Sequence, residues 1–195
     1  MVRQLRFCAR ANPFAESSAR RAIASVIPRA MSAGSLGSTS TAALPAVSSV
    51  AVPTLVTYDK LFSEGASLGF PPTSVAKIDN VRLKGLDSLA IMRAAGLTMA
   101  YGTDLLGAMH RHQSEEFVIR GRVLPAREVI ASATHIAARL CRMEGRIGAV
   151  APGAYADLIA VDGNPLADLS LLTGQGRHMP LILRGGAVVK RRGLN

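Results

Sequence analysis

The chain has 195 residues, 49% of them hydrophobic, which is enough apolar surface for a packed core and excludes an intrinsically disordered protein. Its 23 Lys and Arg residues outnumber 13 Asp and Glu residues, and the net charge is +10. A basic chain can bind nucleic acid by neutralising phosphates, but aromatic residues make up only 4%, too few for a base-stacking surface. We therefore expect no nucleic-acid partner and keep a nucleic-acid binder only as a rival hypothesis.

The cysteines and the hydropathy bear on the cellular compartment. Cys8 and Cys141 lie far apart without metal-type spacing, so they predict neither a disulfide framework nor a zinc cluster. Sparse cysteine of this kind is typical of a reducing compartment, and we expect a cytoplasmic protein. No stretch approaches the roughly 18 uninterrupted apolar residues of a membrane-spanning helix, so no membrane partner is expected.

The first part of the chain, residues 1–49, differs in character from the rest. Residues 32–49 are mostly Ala, Ser, Thr and Gly without a sustained apolar period, and they predict no firm structural element. The Arg-rich and Ser-rich beginning also has the composition of a transit peptide. We interpret residues 1–49 as a poorly patterned, divergent N-terminal segment.

From Val50 the pattern becomes that of an α/β protein. The apolar run over residues 50–56 predicts a buried strand. An amphipathic helix is predicted over residues 74–95, with Ser74 as its N-cap and Gly96 at its C-terminal end. Residues 97–101 predict a second strand, so the local order is strand, helix, strand.

The remainder of the chain predicts helices followed by strands and turns. Pro125 opens a helix that continues through Arg142. A hairpin is then predicted from the strands at residues 181–184 and 187–190, which the Gly185-Gly186 pair joins. Residues 50–144 and 145–195 are thus expected to form an α/β part and a β-rich appendage.

Asp104 is the candidate catalytic residue. It follows the strand predicted at residues 97–101, and the carboxyl end of a strand in a βα unit is where functional side chains are presented. The alternative is that Asp104 caps the following helix or braces a turn. Local pattern alone does not decide between these two interpretations.

Several stretches together resemble the amidohydrolase family, most closely its imidazolonepropionase-like and Xaa-Pro or Xaa-Arg dipeptidase-like group. They are the stretches at residues 52–59, 101–107, 109–117, 132–134 and 147–165. The resemblance extends from Val50 to Lys190. It implies the C-terminal portion of a TIM-like (β/α)8 barrel with part of a small β-sandwich appendage.

The resemblance also implies a chemistry. Family members hold one or two divalent metals, usually zinc, and the aspartate at the last barrel strand ligates metal and accepts a proton from the attacking water; this role falls on Asp104. The implied reaction is hydrolysis of a non-ester C–N bond in a small-molecule amide, cyclic amide or dipeptide substrate. His110 and His112 follow Asp104 and are candidate substrate-binding residues, with metal ligation by the pair or a hydrogen-bonded structural role as the alternatives.

The sequence departs from the family at the other metal ligands. The family's further ligands precede the aspartate, whereas all four histidines of this chain follow it, and Ala33 falls where the sixth-strand histidine belongs. One carboxylate cannot hold a catalytic zinc, which takes three protein ligands. We therefore expect a truncated amidohydrolase that does not bind metal unaided.

Two hypotheses follow from these departures. The first is a metal-dependent hydrolase by descent, completed by self-association or by a complementary fragment. The second is a non-catalytic remnant or assembly module that pairs through an open barrel edge, because a few barrel strands cannot close on themselves.

Overall fold

The computed structural model describes the backbone of residues 3–5 and the chain from residue 49 to residue 193. Residues 3–5 and 50–193 belong to one compact unit. The expectations for residues 6–48, including the match at Ala33, lie outside the described residues. Within the N-terminal segment, Arg3–Leu5 forms a strand (β1) that the sequence pattern did not predict.

A parallel pair of short strands carries the first half of the unit. Strand β2 (Val50–Ala51) pairs with β3 (Thr98–Met99), with Val50 opposite Thr98 and Ala51 opposite Met99. Two helices lie between them in the chain and pack against each other, α1 (Leu55–Glu64) and α2 (Pro72–Ala94). Parallel strands require such a crossover, and the predicted order of strand, helix and strand is confirmed.

The strand predicted over residues 50–56 is too long. It ends at Ala51, and the buried residues Leu55 and Val56 are the first two residues of α1. Pro53 lies at the boundary, where its missing N–H ends the ladder. A short apolar run cannot distinguish a buried strand from the buried first turn of a helix, which explains the error.

Helix α2 differs from the prediction in its start and in its faces. It begins at Pro72, whose fixed φ suits the first helical turn, and Ser74 is not its N-cap. Gly96 has a φ of +69°, as expected just beyond a helix end. The helix is not cleanly amphipathic: Leu89 is fully buried, but Leu83 and Ile91 are 61% and 68% exposed.

The segment after β3 contains a 3₁₀ helix and three short α-helices. The 3₁₀ helix spans Gly107–Glu115 and continues into α3 (Glu116–Gly121). The helix predicted from Pro125 to Arg142 is divided into α4 (Ala126–Ala133) and α5 (His135–Leu140) at Thr134, which has φ −119° and ψ −104°. The Thr134 Oγ1 donates to the Ile130 carbonyl oxygen at 2.8 Å, an alternative to the helical pattern that favours a break.

A four-stranded antiparallel sheet occupies the C-terminal part. Its strands β4 (Leu158–Val161), β5 (Leu181–Arg184) and β6 (Ala187–Arg191) combine with β1 in the order β1-β4-β5-β6. Two short 3₁₀ helices, Leu169–Leu172 and Gly174–Gly176, separate β4 from β5. The predicted hairpin at the Gly185-Gly186 pair is confirmed, and both glycines have positive φ, as a two-residue hairpin turn requires.

One continuous core joins the two parts. Val56 and Leu89 from α1 and α2 belong to the same buried cluster as Val129 of α4 and Val161 of β4. The C-terminal sheet is therefore packed onto the helices around β2 and β3. None of the helices described is long and apolar enough to cross a membrane.

Gly148 lies close to the backbone at the Thr134 break. A Cβ at this position, where φ is +78°, would lie 2.7 Å from the Thr134 carbonyl oxygen. We expect Gly148→Ala to lower the free energy of unfolding by about 2–3 kcal/mol, the sum of backbone strain and overpacking.

Gly153→Ala is the matched control, because Gly153 has a φ of +79° with no atom within 4 Å of its would-be Cβ. Its cost should be only about 1 kcal/mol, from the left-handed backbone alone. Urea unfolding of both variants measures the difference, and equal losses would contradict the close approach between Gly148 and Thr134.

Candidate active site

The carboxyl ends of β2 and β3 meet through a close contact at Gly102. A Cβ there would lie 2.4 Å from Val52 Cγ1, so only glycine fits between the two chain segments. The first turn of α1 adds a hydrogen bond, in which the Thr57 hydroxyl donates to the Thr103 carbonyl oxygen. These contacts fix the backbone immediately before Asp104.

Asp104 is presented to solvent beyond the carboxyl end of β3. Its backbone is in the left-handed region, with a φ of +50°. Asp is one of the few non-glycine residues that adopt this conformation readily. Its side chain is exposed while Leu105, the next residue, is only 4% exposed and anchors the turn in the core. The carboxylate is therefore accessible on a fixed backbone.

A fully buried ion pair lies beneath the strand ends. Glu116 and Arg120, four residues apart on α3, are both 0% exposed, and Arg120 Nε donates to Glu116 Oε1 at 2.8 Å. The second carboxylate oxygen accepts from the Val56 backbone N–H at 2.7 Å. Glu116 thereby holds the first turn of α1 as well as the arginine.

Arg120 joins the ends of both parallel strands. Its Nη1 donates to the Ala100 carbonyl oxygen at 3.1 Å, and its Nη2 donates to the Pro53 carbonyl oxygen. The guanidinium also lies over the Tyr101 ring, with Cζ 5.2 Å from the ring centroid. One side chain thus connects the backbone before α1 with the backbone before Asp104.

Burial shifts the pKa values of Glu116 and Tyr101. Burial raises the pKa of Glu116, and the Arg120 guanidinium and the Val56 N–H oppose that rise. Burial also raises the pKa of Tyr101, and the nearby Glu116 charge adds to the shift. Tyr101 therefore stays a neutral donor, and its hydroxyl donates to the Gln113 carbonyl oxygen at 2.7 Å.

The two candidate histidines occupy different environments. His110 is exposed on the 3₁₀ helix, whereas the His112 side chain is only 15% exposed and lies between two carboxylates. Its Nδ1 is 2.5 Å from Glu115 Oε1, and its Nε2 is 2.7 Å from Glu64 Oε1 without the alignment of a hydrogen bond. His112 therefore connects α1 with the 3₁₀ helix.

Two cations complete this charged cluster. Lys60 Nζ lies 2.6 Å from Glu115 Oε2, and Arg111 Nη2 lies 2.6 Å from Glu64 Oε2. Burial acts to raise the pKa of Glu115, but hydrogen bonds from Lys60 and His112 outweigh it and lower that pKa. The segment that follows Asp104 is thus attached to α1 by charges.

The described residues do not fit a metal ion by themselves. Among them, no group of three His, Cys, Asp or Glu side chains is arranged to hold a metal. A catalytic zinc needs three protein ligands, and Asp104 supplies one carboxylate.

Comparison with known proteins identifies the family. The model of the amidohydrolase family matches residues 17–188, which is most of the chain. The chain belongs to the amidohydrolase family. No curated protein matches this amidohydrolase chain.

Solved structures extend the likeness. One amidohydrolase of known crystal structure is 49% identical in sequence to this chain, with a TM-score of 0.71. The match covers 75% of this chain and 35% of that chain. A prolidase solved with N-methylphosphonate-L-proline is 48% identical, with a TM-score of 0.70, over 74% of this chain and 36% of that chain. A Xaa-Pro dipeptidase with bound methionine is 29% identical, with a TM-score of 0.62, over 73% of this chain and 34% of that chain. The chain therefore spans about a third of the length of these relatives.

The buried pair should dominate stability around the site. We expect Arg120→Met to lower the free energy of unfolding by about 3–5 kcal/mol, because it leaves the Glu116 charge buried without a partner. The matched control is Arg93→Met, which removes an exposed pair with Glu128 at 2.8 Å and should cost less than about 1 kcal/mol. In chemical denaturation, a double variant Glu116→Leu/Arg120→Met should recover much of the loss, and strictly additive losses would contradict the coupling.

The Glu115 contacts should be lost in acid. Because the folded-state pKa of Glu115 is lowered, its stabilising contribution is present above the unfolded value of about 4.3 and disappears as pH falls through the folded value. We expect Glu115→Gln to cost about 0.5 kcal/mol at neutral pH and less near pH 3. Urea unfolding at both pH values tests this, with the exposed Glu144→Gln as control. A cost of Glu115→Gln that does not change with pH would refute the assignment.

Proposed function

We propose that this chain contributes the carboxylate of Asp104 to an amidohydrolase site that cleaves amide or dipeptide bonds. The observation that carries the proposal is the placement of Asp104, exposed and in a left-handed turn beyond the carboxyl end of a parallel strand. Membership of the amidohydrolase family supports the reaction class. The likeness to a prolidase solved with a phosphonate derivative of proline supports a small amide or dipeptide as the substrate.

In this proposal Asp104 acts as a general base and then as a general acid. Its carboxylate accepts a proton from water as the water oxygen bonds to the substrate carbonyl carbon. The same proton passes to the leaving nitrogen as the C–N bond breaks, so the carboxylate is regenerated. The fixed backbone on either side of Asp104 favours this role, because proton transfer depends on a positioned group.

The metal of the family enters the proposal only as a property of the completed site. A divalent ion, zinc by resemblance, would supply Lewis-acid chemistry when bound. The described residues do not fit it alone, so its remaining ligands would have to come from outside them.

His110 and His112 receive different parts in the proposal. His110 is exposed, so its side chain is accessible for direct contact with a substrate. His112 would act through the 3₁₀ helix, because both of its ring nitrogens lie beside carboxylates. The first would affect substrate binding, and the second would affect the order of the segment after Asp104.

We also propose a domain arrangement for the chain. We interpret residues 50–144 as the last βα units of a (β/α)8 barrel, residues 145–195 as part of a β-sandwich appendage, and residues 1–49 as a divergent N-terminal segment. Within that segment, Arg3–Leu5 adds strand β1 to the appendage sheet. The parallel pair with its helical crossover and the antiparallel sheet support this interpretation. A cytoplasmic location stays a prediction from the cysteine usage.

A non-catalytic assembly module is the second candidate function. It is favoured by the lack of a three-ligand metal group among the described residues. The two candidates differ in one respect that is simple to measure, which is turnover by a preparation in which the missing ligands are supplied.

The test uses the chain co-expressed with the part of the 48%-identical prolidase that it does not match, in the presence of Zn²⁺. Xaa-Pro dipeptides are the substrates, and released proline is measured. We expect Asp104→Asn to lower the rate at least about a hundredfold with stability changed by no more than about 0.5 kcal/mol. The exposed Asp87→Asn is the control and should keep the rate. Full activity in Asp104→Asn would exclude the role of Asp104, and no turnover in any preparation would favour the assembly module.

A further inference from the structure

The 3₁₀ helix Gly107–Glu115, which follows Asp104, is unusually long. Runs of more than about four residues in this conformation are uncommon, because its hydrogen bonds are more poorly aligned than those of an α-helix. The 3₁₀ helix continues directly into α3, so an α-helical conformation is open to the whole segment. The 3₁₀ form therefore depends on contacts from outside the segment.

The 3₁₀ form sets the direction in which His110 is presented. A 3₁₀ helix has about 3.0 residues per turn and a rise of about 2.0 Å per residue, against about 3.6 residues and about 1.5 Å in an α-helix. Between His110 and Glu116, the two conformations differ by about 120° in rotation and by about 3 Å in length. His110 is exposed in the 3₁₀ form. A segment that relaxed to an α-helix would present this side chain elsewhere.

The 3₁₀ helix is held from two sides. On one side His112, which it carries, lies between the carboxylates of Glu64 and Glu115. On the other side the Gln175 side chain reaches it from the segment between β4 and β5, and the Gln175 Nε2 donates to the Arg111 carbonyl oxygen at 2.5 Å. Gln175 thus connects the C-terminal part of the chain with the candidate site.

The backbone of Gln175 is in a conformation that glutamine rarely adopts. It lies in the left-handed region, with φ +55° and ψ +38°, between Gly174 and Gly176, which also have positive φ. Such residues persist where the surrounding structure holds them, and they are concentrated at functional sites. Among the described residues, the other non-glycine residues with positive φ are Asp104 and Arg142. Asp104 and Gln175 therefore place two of these backbone outliers beside the same 3₁₀ helix.

The turn that carries Gln175 is itself anchored. Gly176 is buried, and Lys190 Nζ on β6 donates to its carbonyl oxygen at 2.6 Å. The preceding 3₁₀ helix packs against α3, where a Cβ at Gly121 would lie 2.6 Å from Leu169 Cδ1. Gln175 is therefore a hydrogen-bond donor on a fixed backbone, which is what a restraint on the 3₁₀ helix requires.

We propose that Gln175 is a positioning residue of the candidate site, whose amide holds the 3₁₀ helix Gly107–Glu115 in the form that presents His110 to the substrate. The inference rests on the proposed function, in which His110 contacts the substrate. It adds a residue from the C-terminal part of the chain to that site. Gln175 itself does not touch the substrate and acts through the backbone of Arg111.

Hydrogen exchange on the 195-residue chain tests the restraint itself. Gln175→Gly removes the amide donor and relieves the left-handed backbone, so the amides of Gly107–Glu115 should exchange at least about fivefold faster while the urea midpoint does not fall. Gln175→Glu keeps the size of the side chain without an N–H donor and should also accelerate this exchange. Unchanged exchange in both variants overturns the proposal.

Arg142→Gly is the matched control. It relieves the same left-handed backbone conformation just beyond α5, where Arg142 has a φ of +54°. Its urea midpoint should not fall either, and exchange in Gly107–Glu115 should stay as in the unchanged chain. Acceleration equal to that of Gln175→Gly would contradict a specific restraint by the Gln175 amide.

Steady-state kinetics test the effect on the site, in the co-expressed preparation with Xaa-Pro dipeptides. We expect Gln175→Gly to raise KM at least about fivefold with kcat changed less than about twofold, because substrate binding at His110 is affected and proton transfer at Asp104 is not. His110→Ala should act likewise. The double variant should have a KM no higher than that of His110→Ala, because Gln175 acts through His110. Increases that multiply would contradict the positioning role.

The positioning role and the catalytic proposal fail separately. Faster exchange without a change in KM overturns the positioning role and leaves the catalytic proposal intact. A rate that Asp104→Asn leaves unchanged, together with a KM raised by Gln175→Gly, excludes the role of Asp104 and supports the positioning role. No turnover in any preparation overturns both.

Discussion

The Arg120 guanidinium holds together the parts of the chain on which the candidate site is built. It is fully buried, paired with the equally buried Glu116, and bonded to backbone carbonyl oxygens of Pro53 and Ala100. Removing two charges from water is expensive, and the cost is offset only when the remaining donors and acceptors are satisfied. Those carbonyls satisfy the arginine only if the ends of β2 and β3 lie side by side. The buried pair is therefore fully hydrogen-bonded only when the ends of β2 and β3 are held in this position.

Further contacts next to that buried pair fix the backbone around Asp104. Gly102 allows the strand ends to touch, and Thr57 holds the carbonyl of Thr103. The charged cluster around His112 then attaches the following 3₁₀ helix to α1. Asp104 is exposed between these two attachments. This arrangement supports our proposal of a positioned carboxylate.

The sequence predicted those features that depend on local pattern. The order of strand, helix and strand, the Gly185-Gly186 hairpin and the family are confirmed. Errors arose where packing decides the outcome. The apolar run that ends in Leu55 and Val56 could equally begin a helix, and the break at Thr134 lies against Gly148, fourteen residues further along the chain. An apolar run in the sequence carries no information about such packing, so it does not distinguish a strand from the start of a helix.

The buried pair was the main omission. Neither Glu116 nor Arg120 was distinguished in the sequence, because a Glu and an Arg at i and i+4 are typical of an exposed helix face. The signal that could have found the pair is its apolar setting, with Phe117 and Ile119 between the two charges, both buried in the core. Asp104 was predicted from its place after a strand, and its catalytic role remains a proposal. The pairing of Arg3–Leu5 with β4 had no local signal.

The claim that one guanidinium bridges both strand ends can be tested directly by NMR on the isotope-labelled chain. Scalar couplings transmitted through hydrogen bonds should connect the Arg120 side-chain nitrogens with the carbonyl carbons of Pro53 and Ala100. The guanidinium protons should also exchange with water far more slowly than those of the exposed Arg142. Fast exchange at Arg120 together with no coupling to either carbonyl would contradict the account.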